Sequence, residues 1–497
     1  MAVSRKTILY AQKEIRWHEV PPFLSAVYFL SCILNYGGDY MPKTFRGGVH
    51  LEYHKELTSS RPLQEVEASD VVIIPLKMHV GEQCKPLVKK GDRVLVGQKI
   101  GDTDAYVGAP VHSSVSGTVQ KIDTALLPSG LRGPAIFIEN DGLYEVDPSI
   151  RPKGLIEDLT PRQITDIIRE AGIVGLGGAC FPTHVKLCVP EGKHVEYLLV
   201  NAAECEPYLT CDHRTMLERT EDLFYGIKAA AKACGADHVI ICVEDNKPDA
   251  IEIMQNYCDG QCQVVVLEAK YPQGGERQLI KAVLNREVPS GTLPYEVGVV
   301  VINVGTAVAI AEAIKTGMPL IKRAVTVTGT IVKNPGNFIV RIGTTMDKLR
   351  DVVDGTTEPP SRIIYGGPMM GNTIHELDEP VVKGTSGVVV LSRDESPLIG
   401  EPDPCISCAR CVDHCPAYLM PNILERMVAE NKLDKAKKLG LQDCIECGTC
   451  SYVCPSKRHL VQWFRVGKME LAAQRRREED KAKAKETGKA VSTGGGM

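Results

Sequence analysis

Between residues 71 and 140 the apolar positions come in short β-branched runs, "VVIIPLKMHVGEQCKPLVKKGDRVLVGQKIG" and "APVHSSVSGTVQKI", broken by Gly and Pro. That punctuation predicts a small all-β barrel or sandwich. From about residue 159 to 316 the pattern changes. A helix-period segment "TPRQITDIIREAG" precedes an apolar strand "EYLLVNAA", then a helix "EDLFYGIKAAAKACG" and a strand "HVIICVE". Strands alternating with helices predict a parallel, Rossmann-like sheet. "RAVTVTGTIVKNPGNFIVRIGTTMDKLRDVVDG" then reads as strand, turn, strand and helix, a compact α+β module. Two cysteine runs follow Arg393, separated by the helix-like "MPNILERMVAENKLDKAKKLG", and a charged helix follows Trp463, ending in a disordered "STGGGM". The fold class is therefore multidomain α/β.

Charge and cysteine usage narrow the setting. The 497 residues can hold about three or four domains. Lys+Arg of 58 against Asp+Glu of 62 leaves a net charge of −4, without the basic excess of a nucleic-acid-binding protein, so no nucleic-acid partner is expected. Of the 18 cysteines, those outside the two runs are scattered without paired spacing, which predicts reduced thiols and metal ligands in a cytosolic compartment, not a disulfide framework. "FLSAVYFLSCIL", at residues 23–34, follows Lys6, Lys13 and Arg16. It has the look of a signal peptide or short anchor but falls short of the roughly 20 residues a spanning helix needs. Two readings stand: a membrane-touching helix, or an extension upstream of a start at Met41. No stretch after Met41 offers about 20 consecutive apolar residues.

The cysteine runs are "CISCARCVDHCP", from Cys405, and "CIECGTCSYVCP", from Cys444, in identical register. C-x2-C-x2-C-x3-C-P is a ferredoxin spacing in which the fourth cysteine of each run ligates the other run's cluster. It assigns Cys405, Cys408, Cys411 and Cys454 to one 4Fe-4S cluster and Cys444, Cys447, Cys450 and Cys415 to a second. Paired zinc sites are the competing reading, but zinc would leave the third close cysteine of each run redundant.

Clusters pass single electrons, so a two-electron centre is sought upstream. "GIVGLGGACFPTHVK", at residues 172–186, is glycine-rich: Gly175, Gly177 and Gly178 allow close backbone approach to a phosphate or an isoalloxazine ring, and Lys186 supplies a charge for a phosphate. By itself such a turn can equally be structural. "VNAAECEPYLTCDHR" places Asn201, Glu204 and Glu206 at the carboxyl edge of a strand, where α/β sheets bind ligands.

Together these two stretches resemble the flavin and nicotinamide site of the NADH-binding subunits of respiratory complex I, with "YPQGGERQLI", "VINVGTA" and "YGGPMMG" following in the family's order. The resemblance assigns Gly175, Gly177, Gly178, Lys186, Asn201, Glu204, Asn303 and Thr306 to FMN. It assigns Phe181, Glu206 and Glu276 to NAD(H). The chain departs from that family at Ala203, Gly275 and Ile302, where acidic residues or an asparagine stand in it, so some contacts are rearranged. With "TFRGGVHLEYHK" at the start and the dicluster at the end, residues 41–460 resemble the C subunits of the Rnf complex, the membrane ferredoxin:NAD oxidoreductase.

That resemblance implies an N-terminal extension at 1–40, a barrel-sandwich hybrid at 41–150 and a Rossmann-like FMN/NADH domain at 151–320. An SLBB-like β-grasp module at 321–392, a helical two-4Fe-4S ferredoxin domain at 393–465 and a charged helix with tail at 466–497 complete it. It further implies hydride exchange with NAD(H) at FMN, single electrons through two 4Fe-4S clusters, other Rnf subunits as partners, ferredoxin as an indirect one, and a peripheral place on the cytoplasmic side of the membrane. Two other readings stay open: a microcompartment cobalamin reductase, in whose family the glycine-rich motif precedes the barrel, and a non-catalytic electron relay. The barrel halves resemble lipoyl and biotinyl carriers, yet no carrier-lysine hairpin joins them, which favours a docking or structural module. His79, His112 and His184 receive no role. A third metal site among Cys180, Cys205 and Cys211 is the alternative to ordinary buried thiols.

Overall fold

Short β-branched runs close into two small antiparallel sheets in a computed structural model that describes residues 41–128, 130–396 and 401–492. The apolar run at 23–34 and the tail from 493 lie outside the described residues. One sheet runs Val71–Pro75, Arg132–Asn140, Gly117–Leu126, Arg93–Val94; the other runs Lys85–Pro86, Lys99–Asp102, Val111–His112. Val72, Ile74, Val94, Ile100, Val119, Ile136 and Ile138 have no exposed surface and share one core.

The change of period near residue 160 produces a parallel sheet in the order Gln263–Leu267, His238–Glu244, Tyr197–Ala202, Val299–Asn303. The middles of its strands are apolar because both faces are covered, and polar residues stand at their ends. Leu198 and Val200 belong to one core with the helices Pro161–Glu170, Thr220–Cys234 and Val304–Lys315; Leu199 and Val301 belong to another with Glu276–Leu284. The first of these helices starts with Pro161 after a Thr160/Gln163 capping box. The order of strands reverses between Tyr197–Ala202 and Val299–Asn303, so Asn201 and Asn303 stand opposite each other at the switch point, where such sheets open a crevice.

The third module is a six-stranded sheet, Leu63–Glu65, Gly336–Arg341, Lys322–Thr328, Gly387–Leu391, Arg362–Tyr365, Asn372–Thr373. Leu63–Glu65 lies in the span read from the sequence as the barrel, yet pairs in parallel with Gly336–Arg341. The last module is helical: Pro421–Ala429 and Leu433–Lys438 replace the single helix expected between the cysteine runs, and Leu460–Ser492 is the long charged helix. Left-handed Asn431 marks the break.

Residues 43–55 form a strap. Lys43 bridges Leu267 and Val49 bridges Tyr271. Gly48 donates to His414 O at 2.9 Å. Gly47 and Gly48 have φ of 87° and 75°, and a Cβ on them would lie 3.0 Å from Cys415 O and 2.5 Å from Tyr271 O. Only glycine meets both demands. Lys55 ends the strap, its Nζ donating to the carbonyls of Glu204, Glu206 and Leu209 at 2.7, 3.0 and 2.6 Å.

One finding corrects the expectation of reduced thiols. Cys258 and Cys262 form a disulfide around the turn that ends the helix Pro248–Cys258. Left-handed Asp259 and Gly260 fold that turn back and bring the two cysteines together.

Candidate redox site

The eight motif cysteines gather into two sets of four. Cys405, Cys408, Cys411 and Cys454 line one hollow with Asn422, Glu425 and Arg458. Cys415, Cys444, Cys447 and Cys450 line the other with Leu419, Ile445, Val461 and Phe464. Each run thus sends its fourth cysteine to the other set. Burial raises the thiols of Cys415, Cys447 and Cys450, and that of Cys444 to about 11. Convergent sulfurs that burial disfavours as thiolates suit a cationic iron–sulfur core, which supplies the missing positive charge.

The second hollow adjoins the parallel-sheet module. Tyr271, fully buried, donates its hydroxyl to Cys447 O at 2.7 Å, and Gln278 Nε2 donates to Pro416 O at 3.1 Å. Val49, Cys205, Tyr271 and Cys447 form a buried cluster with Met369 and Ile445 against it.

At the switch point Asn303 caps the helix Val304–Lys315. Its Oδ1 accepts from the amides of Gly305 and Thr306 at 2.9 and 3.4 Å, and its Nδ2 donates to Asp212 Oδ2 at 2.6 Å. The glycine-rich turn rests on this residue: a Cβ on Gly177 would lie 2.8 Å from Asn303 Nδ2. Thr306 Oγ1 accepts from Leu176 N at 3.0 Å, and Gly175 N donates to Phe181 O at 2.9 Å. The carboxylate of Glu204 accepts from the amides of Asp212 and His213 at 2.8 and 3.3 Å. Glu204, Cys211 and Asp212 bring their ligand atoms within 4.8 Å of one another. Burial, then the Glu204 charge, pushes the Asp212 carboxyl up to about 7, against the pull of the Asn303 hydrogen bond.

The structure therefore brings Gly175, Gly177, Asn303, Thr306 and Glu204 together. Gly178, at the exposed tip, would meet nothing with an added Cβ. Asn201 Nδ2 donates to Gly274 O at 2.8 Å. Lys186 pairs with Glu276 at 2.6 Å and donates to Val301 O at 3.1 Å, joining residues that the resemblance divides between FMN and NAD(H). Glu206 is turned elsewhere, its carboxylate accepting from Met369 N and Met370 N at 3.1 and 2.9 Å in the loop "YGGPMMG". Burial pushes that carboxyl up to about 7, opposed by the two amides and Lys55.

A flavin fits this cradle. The tip residues Gly177, Gly178 and Ala179 are exposed, and their backbone amides have no protein acceptor among the described residues, which leaves them open to a ligand. Sequence reasoning missed Asp212, Lys55 and Tyr271, all inside quoted motifs. The only signal for Asp212 and Tyr271 was a charged or phenolic side chain in a motif with assigned residues, and Lys55 had none beyond its place in a motif of the resemblance.

Comparison with known proteins follows the same order of modules. Residues 43–143 match the RnfC barrel sandwich hybrid domain, 168–312 the Nuo51 FMN-binding domain, 324–373 the SLBB domain and 398–455 the 4Fe-4S dicluster domain. The chain is 48% identical over 436 residues to the C subunit of the Na(+)-translocating ferredoxin:NAD(+) oxidoreductase complex of Acetobacterium woodii, covering 87% of this chain and 98% of that one. It is 44% identical over 443 residues to the C subunit of the proton-translocating ferredoxin:NAD(+) oxidoreductase complex of Clostridium ljungdahlii, covering 89% and 97%. It is 39% identical over 439 residues to the C subunit of the ion-translocating oxidoreductase complex of Rhodobacter capsulatus, covering 87% and 84%. Among the described residues, no helix is long and apolar enough to cross a membrane.

Proposed function

The chain belongs to the C-subunit family of ion-translocating ferredoxin:NAD(+) oxidoreductase complexes, and from that premise we propose that it is the subunit through which such a complex exchanges electrons with NAD(H). Bound FMN supplies the conversion between two-electron hydride exchange and one-electron transfer. The glycine-rich turn, Asn303 and Thr306 hold the flavin at the switch point. Lys186, paired with Glu276, would supply the positive charge for the phosphate, and Glu204 with Asp212 would set the charge on the ring side. Phe181, Glu206 and Glu276 form the nucleotide side. Glu206 acts through the loop it anchors at Met369 and Met370.

Cys405, Cys408, Cys411 and Cys454 ligate the outer 4Fe-4S cluster; Cys444, Cys447, Cys450 and Cys415 ligate the inner one. The observation that carries this reading is the hydrogen bond from Tyr271, in the flavin-side loop, to Cys447 O at 2.7 Å, which joins the inner thiol set to the flavin domain. Cys405 and Cys408 are exposed, so the outer set faces the partner subunits. The chain works as a peripheral subunit on the cytoplasmic side, held by those partners, with ferredoxin reached only through them.

The test is anaerobic reconstitution of the full chain followed by titration with NADH. One FMN and about eight irons per chain, with flavin and clusters both reduced by NADH, are expected. Reduction by dithionite alone would favour the non-catalytic relay, and about four irons would remove the dicluster.

A further inference from the structure

Two cations of the β-grasp module enter the floor of the glycine-rich turn. Arg323, on the strand Lys322–Thr328, is buried; both its terminal nitrogens donate to Leu176 O at 3.4 Å, and one also donates to Lys383 O at 2.5 Å. Lys383 has no exposed surface, and its Nζ donates to Gly172 O at 2.6 Å and to Pro110 O at 2.8 Å. Every acceptor of these two side chains is a backbone carbonyl. Burying cations this way is costly, so the contacts are informative about what the fold must hold still.

A trans peptide is planar, and its carbonyl and the following amide point in opposite directions. With Leu176 O drawn toward Arg323, the Gly177 amide is turned away from the β-grasp module. The tip beyond it is exposed, and among the described residues the amides of Gly177, Gly178 and Ala179 have no protein acceptor. The barrel holds the far side, Val80 N donating to Cys180 O at 3.2 Å. The turn is thus fixed at its base by two other modules, and its tip presents free donors. Successive free amides form an anion-binding concavity.

We infer that Arg323 is a positioning residue that aims the tip amides of the glycine-rich turn at the phosphate of the flavin, with Lys383 fixing the start of the turn through Gly172 O, which makes the β-grasp module the platform of the flavin site. The inference rests on the reading that this turn binds FMN. Neither side chain touches the ring; both act through the carbonyls they hold.

The experiment uses the full chain with reconstituted clusters, stripped of flavin, as wild type, R323M, K383M and R323K. FMN and riboflavin, which lacks the phosphate, are titrated by fluorescence quenching, with iron content and thermal melting measured alongside. R323M and K383M should each weaken FMN binding about tenfold or more, the scale of one hydrogen bond to a charged group. Riboflavin binding should change less than about threefold, iron should stay at the wild-type level, and R323K should recover much of the loss. Equal losses for FMN and riboflavin, or unchanged FMN binding in both methionine variants, would overturn the inference while leaving the flavin reading intact. A wild-type protein that binds no FMN would remove the flavin reading and the inference with it.

Discussion

The two cysteine hollows are built from the same words and placed in different surroundings. In the run 405–416, Ser407 and Ala409 adopt left-handed conformations with φ of 55° and 60°; in the run 444–455, Glu446 and Gly448 do so at the same positions, with φ of 57° and 82°. The backbone wraps each hollow in the same way. Ala409 tolerates this conformation, but Gly448 must be glycine, because a Cβ there would lie 2.7 Å from Met369 O. The inner hollow is pressed between Tyr271, Met369 and Phe464. The outer one is rimmed by exposed Cys405 and Cys408 and by the Arg458–Glu425 pair. Local spacing decides which sulfurs meet, and tertiary contact decides what each set faces.

Removing a ligand from each hollow should separate them most. Cys450→Ser and Cys408→Ser should both lower iron to about four per chain. Cys450→Ser should also lower the melting temperature by about 10 °C, since metal-site energy here is also docking energy, and Cys408→Ser by less than half as much. Equal shifts by calorimetry would break the distinction. Next, Tyr271→Ala should cost about 3–4 kcal/mol by cavity formation. In stopped-flow work it should slow cluster reduction by NADH while leaving flavin reduction unchanged; slowing of both would place the tyrosine elsewhere in the path.

A third variant probes the outer hollow. Arg458 Nε holds both oxygens of buried Glu425 at 2.9 Å. Arg458→Met should cost about 2 kcal/mol by leaving that carboxylate unpaired, and chelators should then remove iron from the outer set first. Faster loss from the inner set, followed by electron paramagnetic resonance, would contradict the assignment of environments.

The smallest effect is a pH dependence on the flavin side. Burial raises the Glu206 carboxyl from its ordinary value to about 7, so its contribution to stability is fully present below about 4.5 and is lost as pH rises through about 7. Wild-type stability should fall between pH 6 and 8, with Asp212 contributing in the same window, and Glu206→Gln should reduce that fall by about 1 kcal/mol. An unchanged slope in denaturant titrations would show that the carboxyl stays solvated.

What could be read in the sequence is what short-range pattern carries. The strand at 197–202, the helices at 161–170 and 220–234 and the twin cysteine loops each follow from periodicity or spacing within a dozen residues. Long-range pairings were not legible. Lys186 meeting Glu276, Glu206 meeting Met369 and Met370, and Leu63–Glu65 joining a sheet built mainly from residues beyond 320 depend on how finished modules pack. Asp212 illustrates the limit: an acidic residue after a cysteine in "CDHR" reads as solvated surface until Glu204 and Asn303 are seen on either side of it.

The strap at residues 43–55 imposes an order of events during synthesis. Gly47 and Gly48 leave the ribosome hundreds of residues before part of the surface they close on, His414 and Cys415. At a translation rate of roughly 5–20 residues per second, the glycine pair waits tens of seconds for its seat. Until the dicluster segment has folded, the Tyr271 hydroxyl lacks its acceptor, Cys447 O. Most of the strap can seat on the nascent flavin module, Lys43 at Leu267, Val49 at Tyr271 and Lys55 at the 204–209 carbonyls, but its Gly47–Gly48 corner is completed only when the cluster domain arrives.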